Sequence, residues 1–384
     1  MSISFLKFLD NKPLYYDKID YDRMPRAYAK IKDALTLPRI VHLVGTNGKG
    51  TTGRFMANAL LDSGLNVGHY TSPHILAFNE RTWLNGSNAD DQLLQKAHEI
   101  MFTLLGKERA EALSYFEYTT LMAMALFESC DIVVLEAGLG GEYDATNVFE
   151  KELSIFTPID FDHQAFLGDT IEAIASTKLR SMAKIAILGE QSHQEVEDLF
   201  DVIGKEKESE IYHVSELLSK NVIITVEKLA SKEFLPYYLT QNLKLAIAGL
   251  DLLDISYNIE SMVKQPMFGR LTKLNEHIYL DVGHNVLAAK AMTASLQGQK
   301  FTLVYNSYKD KEIADILQTL KPIVTAVEII DVDDVRIEQR QQLEAILSKL
   351  YIGYSHFNEI EKNKKYLVFG SFSVAEAFLK RYKQ

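Results

Sequence analysis

The sequence predicts an α/β protein: a mainly parallel sheet with helices on both faces, followed by a smaller α/β domain. Three observations point there. Short apolar strands alternate with helix-period stretches along most of the 384 residues, the pattern of a parallel sheet. The first strand, Ile40 to Val44, runs into the glycine-rich turn Gly45-Thr46-Asn47-Gly48-Lys49-Gly50-Thr51. A helix-period segment follows, with Met56, Leu60 and Leu61 on one face. The alternation then restarts beyond a break near Gln265-Pro266.

Ile40–Val44, Asn66–Tyr70, Ile132–Ala137, Leu153–Pro158 and Ile185–Leu188 are apolar runs of strand length. A helix-period stretch, Tyr118 to Phe127, leads into the third, and another, Thr170 to Lys184, follows the fourth. From Glu195 to Leu235 the chain is charged and less regular. A helix from Asn242 to Leu253 precedes the break. Beyond it, Ile278–Val282, Phe301–Tyr305, Val327–Val332 and Tyr366–Phe369 form the second set, and the charged segment Glu359 to Lys365 reads as a solvated loop. Single cores stop growing near roughly 250–300 residues, so two domains are expected, 1–265 and 266–384.

An apolar fraction of 47% and a charged fraction of 24% describe an ordinary soluble globular protein. The net charge of −11 argues against nonspecific nucleic-acid binding, yet a local site can still be positive. A single cysteine, Cys130, excludes an intrachain disulfide framework and fits a reducing cytosol. The start, MSISFLKFLDNKPLYYDK, lacks the cationic and apolar regions of a secretory leader. No apolar run approaches the roughly 20 residues of a bilayer span. A cytoplasmic protein without membrane or nucleic-acid partners is expected.

The strand, glycine turn and helix form a phosphate cradle: backbone N–H groups and the helix N-terminus face an anion, and Lys49 adds a fixed charge. The turn departs from the usual phosphate-loop spacing, because Gly45 and Gly48 lie two residues too close and Gly50 separates Lys49 from Thr51. Ligands of open α/β sheets gather at the carboxyl ends of strands. There Glu136 offers a carboxylate for Mg²⁺, which wants oxygen ligands. Asp162 and His163 end the fourth strand and would lie beside Glu136 if the two strands were neighbours; Ser72 ends the second. In the second domain, Asp281 suits a ribose, His284 a base and Arg270 a phosphate. These three are expected to face the phosphate loop across a cleft. Trp83 reads as core or interface.

Taken together, these segments resemble the folylpolyglutamate synthase/dihydrofolate synthase branch of the Mur ligase superfamily. The resemblance rests on GTNGKGT (45–51), TSPHI and ERTWLNG (71–75, 80–86), YFEYTT (115–120), LEAGLGGEYDATN (135–147), DH (162–163), LGDTIEAIASTK (167–178), FGR (268–270), DVGHN (281–285), DKE (310–312) and FGSF (369–372). It implies a phosphate-loop ATP-binding central domain and a smaller Rossmann-like glutamate-ligase domain. It also implies an ATP-dependent ligase that joins L-glutamate to a pterin or folate carboxylate through an acyl phosphate. Such an enzyme acts on dihydropteroate, a reduced folate or both, with bifunctionality favoured, and is expected to be a monomer.

Carried over by position, Asn47, Gly48, Lys49, Gly50 and Thr51 would hold the ATP phosphates, with Asn242, Arg270, Asp281 and His284 as further ATP contacts. Thr51, Ser72, Glu136 and His163 would ligate magnesium, with two metal sites expected. Lys178 falls where the family carries an N6-carboxylated lysine; Lys49, Lys178 and His163 are the implied catalytic set. Ser114, Tyr115, Phe116, Glu117, Tyr143, Asp144 and Ala145 match pterin-substrate positions.

The chain departs from the family at Glu142, where the family has arginine, and at Thr177, where it has glutamate. Leu179-Arg180-Ser181-Met182 replaces an A-G-I continuation, and the segment Ile19 to Met24 is shortened. Two other readings compete. A cell-wall Mur ligase needs a nucleotide-sugar domain, for which the 44 residues before Gly45 are too few. A phosphate-loop ATPase switch would need neither the metal-ligand set nor the second-domain contacts.

Overall fold

The computed structural model describes residues 4–13 and 20–382. Ile19 and parts of the N-terminal stretch read above lie outside the described residues. The chain divides into two compact units, one of residues 1–235 and 239–266, the other of residues 236–238 and 267–384.

Eight strands build the sheet of the first unit: β1 (Arg39–Val44), β2 (Val67–Tyr70), β3 (Thr82–Leu84), β4 (Ser87–Asn88), β5 (Ile132–Glu136), β6 (Leu153–Phe156), β7 (Ile185–Leu188) and β8 (Glu210–His213). Their order is β4-β3-β2-β5-β1-β6-β7-β8, parallel except where β3 pairs with β2 and β4. β1, β2, β5 and β6 are buried along nearly their whole length, as a sheet covered on both faces requires. One face packs Tyr70, Val133 and Leu135 with Phe8, Tyr118 and Met122. The other packs Val41, Leu43 and Val134 with Phe55, Leu60 and Leu250. Beyond β6, Phe156 and Leu188 pack against Ile174, Val196 and Phe200.

Three expectations change. The stretch after Glu195 is regular: helices Gln194–Glu206 and Lys220–Lys232 flank β8. Their charged residues solvate one face, while Val196, Phe200 and Ile203 on one helix and Val226 and Leu229 on the other are buried. The helix beginning near Asn242 starts earlier, spanning Tyr237–Leu252. Most importantly, β5 and β6 are not neighbours, because β1 lies between them and pairs with both. Asp162 and His163 therefore approach the phosphate loop from the side opposite Glu136.

The second unit holds β9 (Thr272–Asn275), β10 (Ile278–Leu280), β11 (Phe301–Tyr305), β12 (Val324–Ile329), β13 (Tyr354–His356) and β14 (Tyr366–Phe369), ordered β13-β12-β11-β14-β10-β9. Only β9 runs antiparallel to its neighbour. Leu303, Val327, Leu367 and Phe369 centre its core. Trp83 is buried beneath the Arg54 guanidinium, 4.8 Å from the ring centre. Cys130 is buried, and burial with Asp131 nearby pushes its thiol up to about 12. No helix among the described residues is long and apolar enough to cross a membrane.

Phe200 is fully buried between the β6–β7 face and its own helix. Phe200→Ala is expected to cost the first unit about 3–5 kcal/mol, read as a lower urea midpoint for its transition with an unchanged slope.

Candidate active site

The phosphate loop leaves β1 where the strand order reverses direction, the position at which a parallel sheet opens a crevice. Thr46 N–H donates to the Pro158 carbonyl at 2.9 Å, which seats the loop on the end of β6. Gly48 has φ +92°, and a Cβ there would sit 2.7 Å from Asn242 Oδ1, so the loop passes Asn242 closely only as glycine. Helix Lys49–Asp62 begins at once, with Gly50 and Thr51 buried in its first turn.

Lys49 turns inward. Its Nζ donates to the carbonyls of Gly45 and Thr46, each at 3.1 Å, and lies 3.8 Å from Glu136 Oε1. Glu136 is buried at the end of β5, and its Oε2 accepts the Ser72 N–H at 3.3 Å. Glu136, Ser72 and Lys49 thus meet on one flank of the loop.

Lys178 reaches the same loop from the opposite flank. It is buried in helix Ile171–Leu179, and its Nζ donates to the Gly45 carbonyl at 2.9 Å. Burial lowers its pKa to about 7, with Lys49 adding to the fall and Asp162 and Asp144 opposing it. His163 has φ +53°, a left-handed conformation uncommon outside glycine, and its Nε2 lies 4.0 Å from Asp162 Oδ2. Two residues beyond β7 hold this segment. Gln191 Oε1 accepts the Ile159 N–H at 2.9 Å, and His193 Nε2 pairs with Asp160 Oδ1 at 3.0 Å. Among the described residues no three His, Cys, Asp or Glu side chains cluster as a metal site. The Glu136 carboxylate, on the Lys49 flank, offers the oxygen donor a hard cation wants, while His163 stands on the other flank.

The acceptor-matching segments are braced from within. Ser114 caps helix Tyr115–Leu126, and Glu117 returns the bond: Ser114 N–H donates to Glu117 Oε2 at 2.8 Å, and Glu117 N–H to Ser114 Oγ at 3.3 Å. Glu117 also pairs with Arg23 at 2.9 Å. Lys12, its pKa lowered to about 8 by burial, donates to the carbonyls of Ala110 and Leu113 at 2.5 and 2.6 Å. The adjoining Pro13 carbonyl accepts the Tyr115 N–H at 2.9 Å. Arg81 sits over the Tyr115 ring at 5.2 Å and donates to His74 Nδ1 at 2.8 Å. Burial, with Arg81 beside it, pushes His74 down to about 4, so the ring is a neutral acceptor. Phe116 stacks with Tyr70, ring centres 6.0 Å apart.

In the second segment, Asp144 is buried and satisfied by the backbone. It accepts from Leu139 N–H at 2.8 Å, Thr146 N–H at 2.9 Å and Thr146 Oγ1 at 2.5 Å. Ala145 is buried, whereas Tyr143 is exposed and touches Tyr21, ring centres 4.4 Å apart.

In the second unit, Asp281 accepts the N–H groups of Leu271 and Gly283, each at 2.7 Å. Burial raises its pKa, and Arg270 opposes the rise. The Arg270 guanidinium lies over the Phe372 ring at 5.4 Å, and His284 Nδ1 meets the Val282 carbonyl at 3.2 Å. These residues gather at the carboxyl ends of β10 and β14.

Sequence reasoning missed Arg23, Lys12, Gln191 and His193. It also read Ser114 and Glu117 only as acceptor positions, although the spacing S-x-x-E signals a capping box.

No family model matches the chain. Dihydrofolate synthase/folylpolyglutamate synthase of Haemophilus influenzae is 30% identical over 98% of this chain and 95% of its own length. The Escherichia coli protein of that name is 30% identical over 84% and 79%. Among solved structures, Helicobacter pylori folylpolyglutamate synthetase superposes with a TM-score of 0.81 at 37% identity, covering 100% of this chain and 99% of that one. Escherichia coli FolC in complex with DHPP and ADP gives a TM-score of 0.82 at 24% identity, a likeness of fold, covering 99% and 97%. With this likeness over nearly its whole length, the chain belongs to the dihydrofolate synthase/folylpolyglutamate synthase family.

Proposed function

We propose that this chain joins L-glutamate to the carboxylate of a pterin or folate in an ATP-dependent ligation. The observation that carries the reading is the pair of lysines, Lys49 and Lys178, converging on the Gly45 carbonyl beside Glu136. Lys49 supplies the cation for polyphosphate, and Lys178 brings a second amine to the same loop.

A carboxylate is a poor electrophile, so the reaction first moves the terminal phosphoryl group of ATP onto the acceptor's carboxylate oxygen and releases ADP. The amino group of glutamate then attacks the acyl carbon, loses a proton and expels phosphate. Lys49 and the first-turn N–H groups of helix Lys49–Asp62 hold and neutralise the phosphates. Thr51, Ser72, Glu136 and His163 would hold Mg²⁺, which offsets charge on the phosphate oxygens when bound. Ser114–Glu117 and Tyr143–Ala145 seat the acceptor, and Asn242, Arg270, Asp281 and His284 contact the nucleotide.

A second metal site would rest on Lys178 as its N6-carboxylate. A buried ammonium beside Lys49 is costly, and its low pKa leaves much of the amine neutral and nucleophilic near pH 7. The neutral amine adds CO₂ and sheds a proton, leaving a carbamate anion where the ammonium was. The whole is read as a monomeric cytoplasmic enzyme that accepts both dihydropteroate and a reduced folate.

Three outcomes are expected. Lys49→Ala and Glu136→Ala each lower glutamate-dependent ADP release at least about 1,000-fold with an unchanged melting temperature; near-normal turnover in either removes the site assignment. Dihydropteroate and tetrahydrofolate each support ADP release with L-glutamate, and a response to only one makes the enzyme monofunctional. Enzyme depleted of CO₂ loses activity and regains it with bicarbonate. The Lys178 amine sheds its proton as pH rises through about 7, so at equal dissolved CO₂ recovery is faster at pH 8 than at pH 6. Recovery at equal rates, or activity indifferent to CO₂, argues for an unmodified lysine.

A further inference from the structure

Lys151 takes no part in the chemistry above, yet it joins two of its components. It lies between β5 and β6, part-buried, and its Nζ donates to two acceptors: Asn147 Oδ1 and, at 3.1 Å, the carbonyl of Ser181. Asn147 closes the loop that carries Tyr143, Asp144 and Ala145, and its Nδ2 donates to the Glu142 carbonyl at 2.7 Å. Ser181 follows the helix that carries Lys178, and its Oγ donates to the Lys178 carbonyl at 2.6 Å.

The loop and the helix also touch directly. Glu142 N–H donates to the Thr177 carbonyl at 2.8 Å, and a Cβ on Gly141 would fall 2.5 Å from the Lys178 carbonyl oxygen. Beneath the loop, His42 Nε2 meets Thr146 Oγ1 at 2.7 Å. Burial, with Lys151 nearby, holds His42 far below its ordinary pKa, so it stays neutral. A helix C-terminus presents unpaired carbonyls and negative potential. Lys207 Nζ donates to the Arg180 carbonyl at this end at 2.9 Å, and Lys151 is a second cation there, just past the helix, that spends its other bond on the loop.

We propose that Lys151 is a positioning residue that straps the acceptor loop to the C-terminal end of the Lys178 helix, so that acceptor and Lys178 share one frame. The proposal rests on the reading of residues 143–145 as acceptor contacts. Burial lowers the Lys151 pKa to about 8, with Lys207 adding and Asp144 opposing, which matches an ammonium held inside rather than in bulk water.

The test compares Lys151→Met with Lys151→Arg in the full-length enzyme. Hydrogen exchange reads the strap, and steady-state kinetics read its effect. Lys151→Met is expected to speed amide exchange at least about tenfold across both 139–147 and 178–183, with β7 unchanged as a control for folding. It should raise the acceptor KM about tenfold while the KM for MgATP stays within about twofold. Lys151→Arg, which keeps charge and donors, should restore most of both. Unchanged exchange in either segment overturns the strap. So does looser exchange with an unaltered acceptor KM, or an arginine variant no better than methionine. Should the wild-type enzyme show no pterin-dependent turnover, the functional reading falls instead, and exchange alone decides the strap.

Discussion

One backbone oxygen organises the first unit. The Gly45 carbonyl accepts from the ammonium groups of Lys49 and Lys178, which arrive on different helices from opposite flanks of β1. Near a protein surface, unit charges about 4 Å apart repel by about 4 kcal/mol. Two lysines gathered here are sustained by the negative groups around them, Glu136 on one flank and Asp162 and Asp144 on the other. Repulsion between the two falls when an anion binds or when Lys178 gives up its proton, which burial holds at a pKa of about 7.

Around this point, several residues that match ligand-contacting positions also serve as frame. Asp144 and Asp281 spend their carboxylate oxygens on backbone N–H groups, and Ser114 and Glu117 cap a helix. A buried carboxylate without such partners would be costly. With them it fixes a loop whose neighbouring atoms then meet the ligand. Replacement of one of these groups therefore disturbs geometry as well as recognition, and loss of activity alone would not separate the two.

What was legible in the sequence was local. Ile185–Leu188, Phe301–Tyr305 and Tyr366–Phe369 begin and end where their apolar runs do. The glycine turn announced its helix, and Glu136 its strand end. Short or half-exposed strands such as β4, β8, β9 and β13 escaped notice, because polar and charged residues dilute their pattern. Sheet order escaped too, since nothing local says that β1 separates β5 from β6. Lys178 stood out only through the family resemblance. The braces were hidden by distance along the chain: Arg23 bonds 94 residues away, His42 104 away and Lys151 30 away.

Cys130 has a practical consequence. It is the only thiol in the chain, and it sits buried with its proton held up to about 12. The thiolate is the form that attacks alkylating reagents, and it is scarce there at neutral pH. A second cysteine introduced on the surface would take up a fluorophore or spin label almost alone, so the native background need not be engineered away. Pairs of such labels would make this chain a convenient ruler for watching its two units during turnover.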